Sequence, residues 1–163
     1  MNKQLPIALT CLTAVSSVLS FPTQSMAQSQ KYYCAIQNGV PTTLVDKVGS
    51  QDVAIIRWTR AWSEQYTPQR RCEIVSERFQ RASEQGNLNY LTTGFFNGLP
   101  VVCGTSQRGG SCDIVLLTLR EGDDSVKTVE QLLGIGSYAS VALEQSTGME
   151  RTYYDFNQAF DLD

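Results

Sequence analysis

The 163-residue chain contains no histidine. That removes Ser-His and Cys-His catalysis, imidazole metal sites and a histidine switch near neutral pH. No two cysteines stand in a C-x2-C pair, so both zinc-site and thioredoxin-like spacings are missing. There is no G-x-S-x-G, phosphate-binding loop, dinucleotide glycine pattern or EF-hand loop. The residues therefore call for no metal and no cofactor. Basic charge is also short: 13 Lys and Arg against 16 Asp and Glu leave a net charge of −3, which gives no global pull toward nucleic acid.

Long apolar runs are missing except at the start. Met1 to Lys3 forms a short basic stretch, Leu5 to Phe21 is apolar and uncharged, and Ser25 and Ala27 suit a small-residue cleavage site. Residues 1–27 read as a signal peptide, with Gln28 the first residue of the mature chain. Pro6, the serines and the shortness of the run argue against a membrane anchor, which needs about 20 apolar residues. Thr10 before Cys11 argues against lipid attachment. Cleavage takes Lys3 and Cys11 away, so the charge becomes −4 and four cysteines remain: Cys34, Cys72, Cys103 and Cys112. An exported chain meets an oxidising compartment, where an even set of cysteines pairs. Four cysteines allow three connectivities. Proximity favours Cys103–Cys112 across the Gly-rich loop, and Cys34–Cys72 follows by default.

The pattern along the remaining chain is β-β-β-α-β-β-β-α. "KYYCAIQ" and "PTTLVDKV" flank Asn38-Gly39, and "LNYLTTGFFNG" and "LPVVCG" flank Asn97-Gly98; both dipeptides are strong two-residue hairpin signals. The segments flanking "NGVP" and "NGLP" do not align, so the repeat reads as recurrent turn chemistry. "DVAIIRWT" and "CDIVLLTL" are apolar on both parities, which predicts central strands. Thr67-Pro68 opens a helix with Cys72, Val75, Phe79 and Ala82 inward, Glu73, Glu77, Arg78 and Arg81 mostly outward, and Gly86 as its stop. Asp124 or Ser125 caps a second helix with Val126, Val129, Leu132 and Leu133 inward and Gly134 at its end. Tyr153, Phe156 and Phe160 have the spacing of a docked helix. The expectation is an α+β fold: a mainly antiparallel sheet of about five to six strands, two helices on one face and two disulfides. Residues 28–146 form the single domain and 147–163 an acidic, aromatic tail that opens at Gly148.

Paired carboxylates of the glycosidase kind could come only from chain folding, because Asp123 and Asp124 already suit a helix cap. Lys127 has no motif that would make it part of a Ser-Lys dyad. One local contrast remains. Arg57, Arg60, Arg70 and Arg71 stand against Glu64 alone, a local charge of +3, with Trp58, Trp62 and Tyr66 between them. The plain alternative is solvated arginines paired to neighbouring carboxylates, with the aromatics in the core. The functional expectation is one exposed positive face for anionic lipid headgroups or acidic glycans, supported by a helix N-terminus.

"IRWTRAWSEQYTPQRRCEIVSERFQ", "LNYLTTGFFNGLPVVC" and "GGSCDIVLLTL" resemble the cyanobacterial circadian-oscillating-polypeptide domain from about Tyr33 to Leu119, with the tail after Ser146 outside it. Arg57, Trp58, Arg71, Cys72 and Phe79 fall on that pattern. The resemblance implies an exported cyanobacterial protein, associated at its periphery with a membrane and named for rhythmic abundance; it implies no defined activity. The expected compartment is periplasm, thylakoid lumen or medium. The residues favour a non-enzymatic exported binding domain whose partner is an anionic membrane surface or an extracytoplasmic protein or glycan. A carboxylate-dependent extracytoplasmic hydrolase is the alternative, followed by a small inhibitor-like domain presenting the loop from Gly104 to Ser111.

Overall fold

A computed structural model describes residues 30–133 and 151–162. The leader expected over residues 1–27, the 146/147 domain boundary, and Gly134 and Gly148 lie outside the described residues.

Strands β1 (Tyr32–Gln37), β2 (Val40–Val45) and β3 (Val53–Arg57) form one antiparallel sheet in that order. Helix α1 (Pro68–Glu84) comes next. Strands β4 (Tyr90–Phe96), β5 (Leu99–Thr105) and β6 (Ile114–Thr118) form a second antiparallel sheet, and helix α2 (Ser125–Leu132) comes after it. A short strand β7 (Tyr154–Asp155) pairs with β4, and α3 (Phe156–Phe160) closes the described chain. The α+β class and both disulfides, Cys34–Cys72 and Cys103–Cys112, are present. The strands divide between two sheets, however, and do not share one. Each hairpin group closes locally through its Asn-Gly turn, and both sheets bury their apolar sides around α1. That helix packs on β1, β2 and β6, whereas α2 packs on β4 and β5.

The two halves share one plan. Asn38 and Gly39 have φ of 52° and 76°, Asn97 and Gly98 have 51° and 78°, and these are the left-handed values that the hairpin turn demands. Pro41 and Pro100 stand at the same offset after these turns. Each is the second residue of its strand, and each carbonyl accepts a hydrogen bond from the residue just past the third strand: Trp58 N–H to Pro41 and Leu119 N–H to Pro100, both at 2.9 Å. Each third strand then carries a bulge at the same register point, with Ile55 extra opposite Thr43/Leu44 and Leu116 extra opposite Val102/Cys103. A helix comes after the third strand in both cases.

The bulges correct the expected strand positions. β3 and β6 are edge strands, not central ones. An extra residue resets the in-out alternation, so apolar side chains on both parities can be buried from an edge. Leu116 and Leu117 are consecutive and both buried, with β6 covered by α1.

In α1 the Thr67 side chain accepts from the Arg70 N–H, Pro68 opens the helix, and Cys72, Val75, Phe79 and Ala82 are buried as their spacing predicts. Gly86, at φ 70°, lets the chain turn away after the Gln85 cap. Asp124 caps α2, its carboxylate accepting from the Lys127 N–H. The segment read as a tail is built in where it is described. Phe156 is fully buried, its ring centroid 5.8 Å from that of Phe79 and 6.2 Å from that of Tyr32, and its N–H donates to the Asn89 carbonyl. Phe156 and Phe160 lie on the short docked helix; Tyr153 precedes it and donates from its hydroxyl to the Gly110 carbonyl.

Candidate functional site

The site lies where the exits of the two equivalent third strands meet. Trp58 is the first residue past β3, and its side chain is buried. Its indole Nε1–H donates to Thr43 Oγ1 at 3.0 Å, and Ser76 on α1 donates to the same oxygen at 3.0 Å. Thr43 is therefore a buried acceptor that fixes the tryptophan between sheet and helix. Thr43→Val keeps the volume and removes the acceptor, leaving two buried donors unpaired. Loss of about 1–3 kcal/mol is expected, read as a lower urea midpoint with unchanged m-value; an unchanged midpoint would show that the network does not hold Trp58.

The loop from Thr59 to Thr67 folds back on itself. Trp62 N–H donates to the Tyr66 carbonyl, Tyr66 N–H to Ser63 Oγ, and the Trp62 and Tyr66 rings lie 6.4 Å apart. Arg71, in the first turn of α1, fills the space between loop and core. Its guanidinium carbon lies 4.6 Å from the Trp58 ring centroid and 5.6 Å from that of Trp62, both within cation–π range. Its Nη1 donates to the Arg60 carbonyl at 3.2 Å. Burial pushes the Arg71 pKa down from its ordinary value, the nearby Arg120 charge adds to this, and Asp123 opposes it. A guanidinium starts so high that it stays charged. Among the described residues, no carboxylate lies within 4.0 Å of it.

A cleft of about 380 Å3 opens beside Arg71, walled by Trp58, Trp62, Tyr66, Ile74, Val75 and Leu117, with Ser63, Arg78 and Thr118 adding polar atoms. Among the described residues, no acidic side chain lines it. A shallower groove joins Arg57, Arg60 and Trp58 to Leu117 and Leu119 across Arg71, and a third recess adds Arg120 and Asp123.

Of the residues singled out by sequence, Arg57, Arg60, Arg71, Trp58 and Trp62 are thus neighbours. Arg57 and Arg60 are exposed, whereas Arg71 is only half-exposed. Arg70 points elsewhere: it pairs with Glu73 at 3.5 Å on the exposed side of α1 and lines none of these recesses. Sequence reasoning missed two members. Arg78 is half-buried, donates to the Leu116 carbonyl at 3.3 Å and lines the main cleft. It stands seven residues after Arg71, two turns on, so helical spacing could have placed both on one face. Arg120 donates to the Ala61 carbonyl at 3.2 Å, tying β6 to the loop; nothing local in the sequence points to that contact.

Searches of the curated proteins and of the solved structures found no match. The family model for circadian oscillating protein COP23 does match, over residues 31–161, from the edge of β1 to the end of α3, and the chain belongs to that family.

Proposed function

We propose that this chain is an exported, non-enzymatic binding domain that attaches from the periphery to an anionic membrane surface. The carrying observation is a pair of equivalent apolar hairpin tips beside arginines. Ile36 and Phe95 occupy the same place, two residues before the Asn of each turn, and are 61% and 80% exposed; Phe96 is 55% exposed. Ile36 pairs with Pro41 and Phe95 with Pro100, the two prolines whose carbonyls receive Trp58 and Leu119. The tips therefore lie at the strand ends where Arg57, Arg60 and Arg120 are exposed. Apolar tips can enter the headgroup layer while the arginines meet lipid phosphates, each contributing about 1 kcal/mol near such a surface. Two disulfides fit an oxidising compartment, and the leader-like first 27 residues support export. Among the described residues, no helix is long and apolar enough to cross a membrane.

Co-sedimentation with phosphatidylglycerol-containing vesicles tests the proposal. Wild type should sediment at low salt and less at high salt, because exposed charges are screened. Arg57→Glu with Arg60→Glu should weaken binding about tenfold or more, and Phe95→Ser with Phe96→Ser should weaken it without changing the salt dependence. Failure of wild type to sediment, or equal sedimentation of the arginine variant, rules out the surface.

A further inference from the structure

We infer that the cleft beside Arg71 is a binding site for a small organic carboxylate with a flat or aliphatic apolar body. Four features of the cleft define this ligand. Its walls are mostly apolar and aromatic, from Trp58, Trp62, Tyr66 and Leu117, so they fit a hydrophobic body. Its volume of about 380 Å3 lies in the range of small-molecule sites. Its charge among the described residues is wholly positive, from Arg71 and Arg78, with no acidic lining residue. Finally, the Arg71 guanidinium carries five N–H donors, and the only hydrogen bond it makes among the described residues is to the Arg60 carbonyl.

An arginine held against two tryptophans is a costly way to make a core. Burial already disfavours its charge and Arg120 adds repulsion, which Asp123, farther than 4.0 Å away, only partly offsets. A ligand carboxylate would supply a directly paired counter-charge and could accept two parallel N–H bonds from the guanidinium fork. Contact with the Trp58 and Trp62 rings restricts the guanidinium, so less rotamer freedom remains to be lost on binding. A single carboxylate suits the site better than inorganic phosphate, because the apolar walls would gain nothing from a compact, fully hydrated anion.

Both tryptophans of the chain line this cleft, so their indole N–H resonances report on its occupation. The experiment titrates 2-naphthoate, its neutral isostere 2-naphthamide and inorganic phosphate into the 15N-labelled protein without lipid. 2-Naphthoate should shift the Trp62 and Trp58 indole signals saturably, with an affinity at least tenfold above that of 2-naphthamide; phosphate should neither shift them comparably nor compete. Arg71→Gln should erase the preference for the charged probe, while Phe95→Ser with Phe96→Ser should retain it, which keeps this site separate from membrane attachment. The naphthoate–naphthamide comparison on wild type needs no variant to fold. Equal affinity for the two probes, tighter binding of phosphate, absence of saturable shifts, or an Arg71→Gln protein that keeps the preference would each overturn the assignment.

Discussion

Phe156→Ala should lower stability by about 3–5 kcal/mol, the range for deleting a fully buried aromatic ring. Phe156 is completely buried and stands where the first sheet, α1 and the C-terminal segment meet. Its ring lies within aromatic-pair distance of Tyr32 on β1, Phe79 on α1 and Phe160 on α3. Its backbone N–H is bonded to Asn89, just before β4, and the preceding Tyr154 and Asp155 pair with Leu91 and Tyr90. Little around the ring could collapse into the space it leaves, because Tyr32 and Phe79 are anchored in other elements. Domains of this size hold about 5–15 kcal/mol in total, so the loss would be a large share. Urea unfolding followed by tryptophan fluorescence measures it, with Phe160→Ala, at a half-buried position, expected to cost clearly less. A loss under about 1 kcal/mol for Phe156→Ala would mean that residues 151–162 do not share the core.

The local elements of this fold were legible in the sequence. Asn-Gly at positions 38–39 and 97–98 needs only positive φ, and Thr67-Pro68 needs only the chemistry of a helix start; both are decided by residues adjacent in the chain. The buried stripe of α1 comes from a helical period of about 3.6 residues. Sheet membership was not legible in this way. Ile55 and Leu116 are bulge residues, and a bulge makes an edge strand look like a central one because it swaps the parity of the residues after it. The shared plan of the two halves showed in the sequence only as the repeated Asn-Gly-x-Pro turn; the rest is written in backbone register and in two proline carbonyls, not in side-chain identity. The site was legible where it is contiguous. Trp58, Trp62 and Arg71 lie close together in the chain and do converge. Arg120 comes from the other half of the chain and reaches the loop only because β6 ends where β3 ends. Arg70 lies beside Arg71 in sequence, but a helix turns adjacent residues to different directions, and Glu73 is within its reach.

Removing the Cys34–Cys72 bridge should cost more than removing Cys103–Cys112, although the two pairs are alike in burial. Cys72 and Cys103 are fully buried, and Cys34 and Cys112 are half-buried, so alanine leaves similar local gaps in each pair. The closed loops differ. Sequence separations of 38 and 9 residues give chain-entropy contributions of about 4 and about 3 kcal/mol. The other bonds that hold each loop widen the gap. The short loop keeps several: Asp113 accepts from Thr105 Oγ1 at 2.8 Å, Ser111 Oγ at 3.0 Å and the Ser106 N–H at 3.3 Å, and Tyr153 holds the Gly110 carbonyl. The bond from Thr105 foremost, with burial opposing it and the bonds from Ser111 and Ser106 adding to it, holds the Asp113 carboxyl below its ordinary pKa. A depressed carboxyl stabilises the fold above its unfolded pKa, and that contribution is lost as pH falls through the lower folded value. At neutral pH the short loop is therefore still held after its bridge is cut. The long bridge has fewer such substitutes near the start of α1, where Cys72 adjoins Arg71: Ser76 donates to Thr43 Oγ1 at 3.0 Å one turn past Cys72, and farther along the Tyr32 N–H donates to Gln80 Oε1 at 2.9 Å. Cys34→Ala with Cys72→Ala should thus show the larger drop in urea midpoint at neutral pH and should also shift the Trp58 and Trp62 indole resonances. Cys103→Ala with Cys112→Ala should leave those resonances in place. The reverse order of stability, or indole shifts only in the second variant, would show that the helix start is held by packing and not by its disulfide.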